Sequence, residues 1–158
     1  MRTDISLELA RHLSAEVNAA FEDGSMMEIV TPVTADLLRY WFTEAYMNER
    51  RFNFHQGQRQ SILNIIYLHE VLKTTSVSEI YEKAAPDLMA GADMEAFSKE
   101  KYNIPKYAVK MATGTGKTWV MHAILLWQML NARHEEERSG RYTKNFLIVA
   151  PGLVVYDA

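Results

Sequence analysis

Met111-Ala112-Thr113-Gly114-Thr115-Gly116-Lys117-Thr118 is the stretch on which the reading of this 158-residue chain turns. Its end satisfies the pattern G-x-x-x-x-G-K-[ST], with Met111 standing where the first glycine would be. The chemistry depends more on the later positions than on the first. Gly114 and Gly116 carry no Cβ, so the backbone can bend there and approach oxygen atoms closely. Successive N–H groups then converge on phosphate, aided by the positive end of a following helix. Lys117 offers a compact charge to β- and γ-phosphates, and the Thr118 hydroxyl is a ligand type for Mg2+. The bland alternative is a Gly/Thr turn that merely joins two elements, so the flanks matter.

On one flank, residues 106–111 form a short β-prone run. On the other, Lys117 opens a helix to about Leu130, with Val120, Ala123, Ile124, Trp127 and Leu130 on one side. Residues 145–150 (Asn-Phe-Leu-Ile-Val-Ala) are then almost continuously apolar, as strands covered on both faces of a parallel sheet are. Strand, helix and strand make one βαβ unit, expected to cross over right-handed. The expected class is therefore α/β, with parallel strands. Residues 133–144 are charged and read as a solvated connector.

Upstream the chain reads as helical. Ile5, Leu9, Leu13 and Val17 recur at a period close to 3.6, in a helix that ends near Gly24. After Thr31-Pro32 a second helix is expected from Thr34, which is a plausible cap. Its stripe of Leu37, Leu38, Trp41, Phe42, Ala45 and Tyr46 reads as core. A third helix is expected over 58–73, with Ile62, Ile65, Ile66, His69 and Leu72 at helical spacing. From 74 to 105 the pattern weakens to a short helix at 78–84 and a variable insertion punctuated by Pro86, Gly91 and Pro105.

Composition excludes more than it identifies. The chain has no cysteine, hence no disulfide and no thiolate zinc site, which suits a reducing cytoplasm. Seventeen basic and 20 acidic residues give a net charge of -3, so nucleic-acid binding cannot be read from bulk charge. No apolar run nears the roughly 20 residues of a membrane span, and no membrane role is expected.

The eight-residue loop resembles motif I of superfamily 2 helicases and translocases, in which the first glycine is commonly replaced. Phe54-His55-Gln56-Gly57-Gln58-Arg59-Gln60-Ser61-Ile62 resembles the upstream Q motif. Gln58 fits the Q-x-x-A-I spacing best, and Gln56 is a weaker match. The resemblance implies that Gln58 reads adenine, since a side-chain amide offers a donor and an acceptor to N6 and N7. For Phe54, stacking on the base and anchoring in the core both stand. Phe146 to Leu153 is similar to motif Ia, which implies that Pro151, Gly152 and Leu153 contact the backbone of bound nucleic acid. A strand simply ending at Pro-Gly is the plain alternative. A rival reading makes Leu153 to Asp157 a Walker B strand, but a reversal that tight gives an antiparallel neighbour, the wrong sense for a parallel sheet.

A finer resemblance is to the restriction subunit of type III restriction–modification enzymes. It is carried by Val33-Thr34-Ala35-Asp36-Leu37-Leu38, Trp41-Phe42, Phe54-His55 and Ile66-Tyr67-Leu68-His69-Glu70. His55 and His69 then read as packing or capping residues. The resemblance implies a helical region over 1–50 and, over 51–158, the first part of a RecA-like ATP-binding lobe that stops before an acidic motif II. It implies ATP and Mg2+ as cofactors, held by Thr113, Gly114, Thr115, Gly116, Lys117 and Thr118. DNA is the implied partner, and a modification methyltransferase subunit is a second one. The implied function is the ATP-binding part of a DNA helicase or translocase, with hydrolysis completed by residues downstream. A nucleotide-binding module without turnover, or a degenerate fragment, is the alternative.

Overall fold

The computed structural model describes residues 5–91, 107–134 and 140–149. The first helix, α1 (Ile5–Glu22), buries Leu13 and Val17. It stops beside Gly24, whose φ of 83° is left-handed and suits a residue without a Cβ. A short α2 (Ser25–Ile29) follows and buries Met26. Helix α3 (Pro32–Phe42) is capped by Thr31, not by Thr34. Thr31 has extended backbone, Pro32 takes the first helical turn, and the Thr34 N–H donates to Thr31 Oγ1 at 3.1 Å. The proline already fits a first-turn position, so the cap falls one residue before it.

After a single turn, α4 (Glu44–Met47), a connector leads to α5 (Gln56–Ile66). The expected uniform helix over 58–73 instead changes register. Tyr67–Val71 is a π-helical turn, closed where the Leu72 N–H reaches the Tyr67 carbonyl at 2.9 Å. Lys73 ends it with φ 52°. Helix α6 (Val77–Ala84) has a Ser76 cap, and a 3-10 segment occupies Pro86–Gly91. The last helix described is α7 (Lys117–His134).

The α/β expectation is overturned. Among the described residues there is no strand and no sheet, and the parallel βαβ unit of a RecA-like lobe is not formed. Residues 107–112 and 145–149 are irregular, with Leu147 90% and Val149 83% exposed. An apolar run carries only a preference; a strand exists when a neighbour pairs its N–H and C=O groups. Neither run pairs with the other here, so the pattern misled.

One apolar core runs through the helices. Leu13, Val17, Met26, Leu38, Trp41, Phe42, Ile62, Leu63, Ile66, Val120, Ala123 and Trp127 belong to it, on both sides of residue 50. Helix α5 packs against α1 and α7, and α3 also packs against α7. At its centre lies a buried polar knot. Glu70, 4% exposed, accepts from the Thr31 N–H at 2.8 Å, the Thr34 hydroxyl at 2.5 Å and the Trp127 indole N–H at 2.8 Å. Thr31 gives its hydroxyl proton to Asn131 Oδ1 at 2.5 Å, and Asn131 Nδ2 returns a bond to Thr34 Oγ1 at 3.0 Å. The knot ties the start of α3, the π turn and the middle of α7.

Beside it, the His69 ring meets Trp127 edge-on at 5.1 Å and lies 5.3 Å from Tyr142. Its Nε2 bonds the Arg141 carbonyl at 2.9 Å, and the Arg141 guanidinium donates back to the His69 carbonyl. Burial lowers the His69 pKa below its ordinary 6.5, outweighing the Arg141 carbonyl, which raises it.

Two outcomes are expected. Glu70→Ala strands the Thr31 N–H and the Thr34 hydroxyl; at about 1–3 kcal/mol for each unpaired buried group, the loss is on the order of 3 kcal/mol in urea unfolding. A loss below about 1 kcal/mol would show that the carboxylate is dispensable. For His69, the unfolded imidazole takes its proton near 6.5 and the folded one only at lower pH. Stability is therefore full above that value and declines as the pH falls from it toward the folded pKa. His69→Phe should flatten this decline in melts recorded across that window.

Candidate functional site

The loop between Met111 and Lys117 takes its shape from two left-handed glycines, Gly114 at φ 79° and Gly116 at φ 73°. Within it, Thr115 Oγ1 donates to the Ala112 carbonyl at 2.6 Å. Lys117, the first residue of α7, folds its ammonium back onto the carbonyls of Met111 at 3.1 Å and Ala112 at 2.9 Å. Thr118 follows on the same exposed end of the helix. Thr113 and Gly114 make the exposed turn at the tip. Residues Thr113 to Thr118 are thus brought together around one helix start.

Gln58 reaches this loop from the first turn of α5. It is 6% exposed, and its Nε2 donates to the carbonyls of Thr115 and Gly116, each at 3.1 Å. Its Oε1 accepts the His55 N–H at 3.0 Å, which is half of a capping box. Both amide protons are therefore taken by the loop, and one acceptor lone pair of Oε1 remains. His55 supplies the other half of the box and also touches Thr115. Gln56 is exposed at the start of the same helix.

A cavity of about 560 Å3 opens beside the loop. Tyr40 and Trp41 of α3, Arg50, Phe52 and Asn53 of the connector, Gln58, Gly114 to Gly116, and Trp119 wall it. Phe52 and Trp119 are 75% and 61% exposed, so both rings stand largely in solvent at the cavity wall. The Arg50 guanidinium lies 4.7 Å from the Tyr40 ring centroid and is pinned by the Trp41 carbonyl at 2.9 Å. Phe54 packs edge-on against Trp41 at 5.9 Å and Phe42 at 5.8 Å, which decides its place as an anchor of the core. Pro151, Gly152 and Leu153 lie outside the described residues.

The aromatic rim and the loop contact of His55 escaped the sequence reading. Tyr40 lies outside the stripe read as core, Phe52 falls in the connector and Trp119 off the apolar side of its helix; no spacing rule joins three segments so far apart. His55 did carry a signal, because it precedes Gln58 by three, as a capping box requires.

The chain is thus a helical protein with a glycine-rich loop at a helix start, set against an aromatic cavity. Residues 51–157 match the family described as type III restriction enzyme, res subunit. That match spans over half of the sequence, and the chain belongs to this family, in keeping with the superfamily 2 resemblance. Comparisons with curated proteins and with solved structures found no match.

The two glycines separate backbone strain from steric conflict. A Cβ at Gly114 meets nothing, whereas one at Gly116 falls 2.4 Å from Gln58 Nε2 and 3.3 Å from Trp119 Cδ1. Gly114→Ala should cost only the left-handed penalty, about 1–2 kcal/mol. Gly116→Ala should cost that and also push Gln58 off the loop. Denaturant melts of the two variants will show the ordering, and equal losses would contradict it.

Proposed function

We propose that this chain is the ATP-binding part of an ATP-dependent DNA helicase or translocase of the restriction type. The observation that carries the reading is the loop itself: left-handed Gly114 and Gly116, with Lys117 at the helix start beside a cavity of base-binding size. The family is a helicase-like one, which supports ATP as the ligand.

The residues present fit the group. Thr113 to Gly116 would lend backbone N–H groups to the phosphates, and Lys117 would exchange its two carbonyl partners for β- and γ-oxygens. Thr118 would ligate Mg2+, whose role is to neutralise charge developing between those phosphates. The exposed rings of Phe52 and Trp119 at the cavity wall suit a planar base. The spare lone pair of Gln58 Oε1 suits the exocyclic amine of adenine.

In this proposal residues 51–158 form the ATP-binding region and 1–50 a helical region packed on it. DNA is the macromolecular partner, with Pro151, Gly152 and Leu153 as its contact on the strength of the motif Ia resemblance. A methyltransferase subunit is the protein partner that the family suggests. Among the described residues no helix is long and apolar enough to cross a membrane. A cytoplasmic setting is part of the proposal.

Lys117→Ala tests it. The side chain is exposed and its only described bonds are to its own loop, so the fold should survive. Calorimetry with Mg-ATP should show binding by the wild type and none by the folded variant. Unchanged affinity in the variant would remove the basis for the reading.

A further inference from the structure

We infer that His55 is a positioning residue of the phosphate loop, acting through one fixed tautomer. Its Nδ1 receives the N–H groups of Gly57 at 3.1 Å and Gln58 at 3.4 Å. A ring nitrogen that accepts carries no proton, so the proton of the neutral ring sits on Nε2. That Nε2–H donates to the Thr115 carbonyl at 2.8 Å. The cap on α5 thereby selects the tautomer that can hold the loop 60 residues downstream.

The consequence follows from peptide geometry. In a trans peptide the carbonyl and the next N–H point in opposite directions. Holding the Thr115 carbonyl toward α5 turns the Gly116 N–H the other way. Gln58 Nε2, together with the Trp119 N–H at 3.0 Å, holds the Gly116 carbonyl and so turns the Lys117 N–H away from α5 and α7. These two N–H groups belong to the nest that would face phosphate oxygens. His55 thus aims donors it does not itself contribute, and its effect is independent of the base. The inference rests on the phosphate-binding reading of the loop.

His55→Asn separates the two jobs of the ring. The Asn Oδ1 falls near the place of Nδ1 and is among the best helix caps, but Asn has no atom at the place of Nε2. The variant should melt as the wild type does. By calorimetry with Mg2+, its affinities for ATP, GTP and inorganic tripolyphosphate should fall in parallel, by about 2- to 12-fold, the worth of one net neutral hydrogen bond. His55→Gln, which regains reach at the expense of the cap, should recover affinity while melting lower. Wild-type affinity for all three ligands in His55→Asn overturns the inference and leaves the loop reading intact. A loss confined to ATP overturns it too, since it would mean contact with the base. Failure of the wild type to bind either ATP or tripolyphosphate overturns both readings. Should His55→Asn not fold, imidazole nitrogen NMR of the wild type decides: protonated Nε2 with bare Nδ1 supports the role, and the reverse tautomer ends it.

Discussion

A carboxylate in a protein interior can be kept only if something there answers its lone pairs. Glu70 is answered by three donors from two other helical elements, and the placing of α3 and α7 depends on that arrangement. Thr31 and Thr34 stand at one end of α3; Trp127 and Asn131 stand one turn apart in α7. The directions of these bonds are demanding in a way that apolar contact is not. They hold α7 in one rotation about its axis, and so decide where its first residue, Lys117, emerges.

From that point outward the site assembles by contact with α5. The same helix that brings Glu70 to the centre through its π turn begins with His55 and Gln58 against the glycine loop. Its two ends thus meet α7 twice, at the middle through Glu70 and at the start through the loop carbonyls. A displacement of α5 would disturb both the core and the loop. This explains how a solvent-facing loop can hold a defined shape, with Gly114 and Gly116 in left-handed backbone and the carbonyls of Thr115 and Gly116 turned toward α5.

Local signals were legible where the chain decides for itself. The glycine loop at a helix start, the break at Thr31-Pro32 and the end of α1 at Gly24 are all short-range features, and each is found where spacing placed it to within a few residues. Tertiary signals were not. The apolar run at 145–149 reads as a strand because its side chains have the right character, yet strand formation requires a second backbone to complete the hydrogen bonds. The cavity wall draws Tyr40, Phe52 and Trp119 from three segments, and no periodicity links them.

By itself, the sequence determined the elements whose causes are local: helices from their stripes, and a sharply bent loop from two glycines ahead of Lys117 at a helix start. Tertiary structure alone decided what those elements do together. It made Gln58 a strap as well as a residue beside the cavity, because both of its amide protons found loop carbonyls. It joined Glu70 to residues 36 to 57 positions away, since a buried charge takes whichever donors the packing supplies. The loop from Met111 to Thr118 is therefore local in its chemistry and non-local in its shape, because hydrogen bonds from another helix orient its peptides.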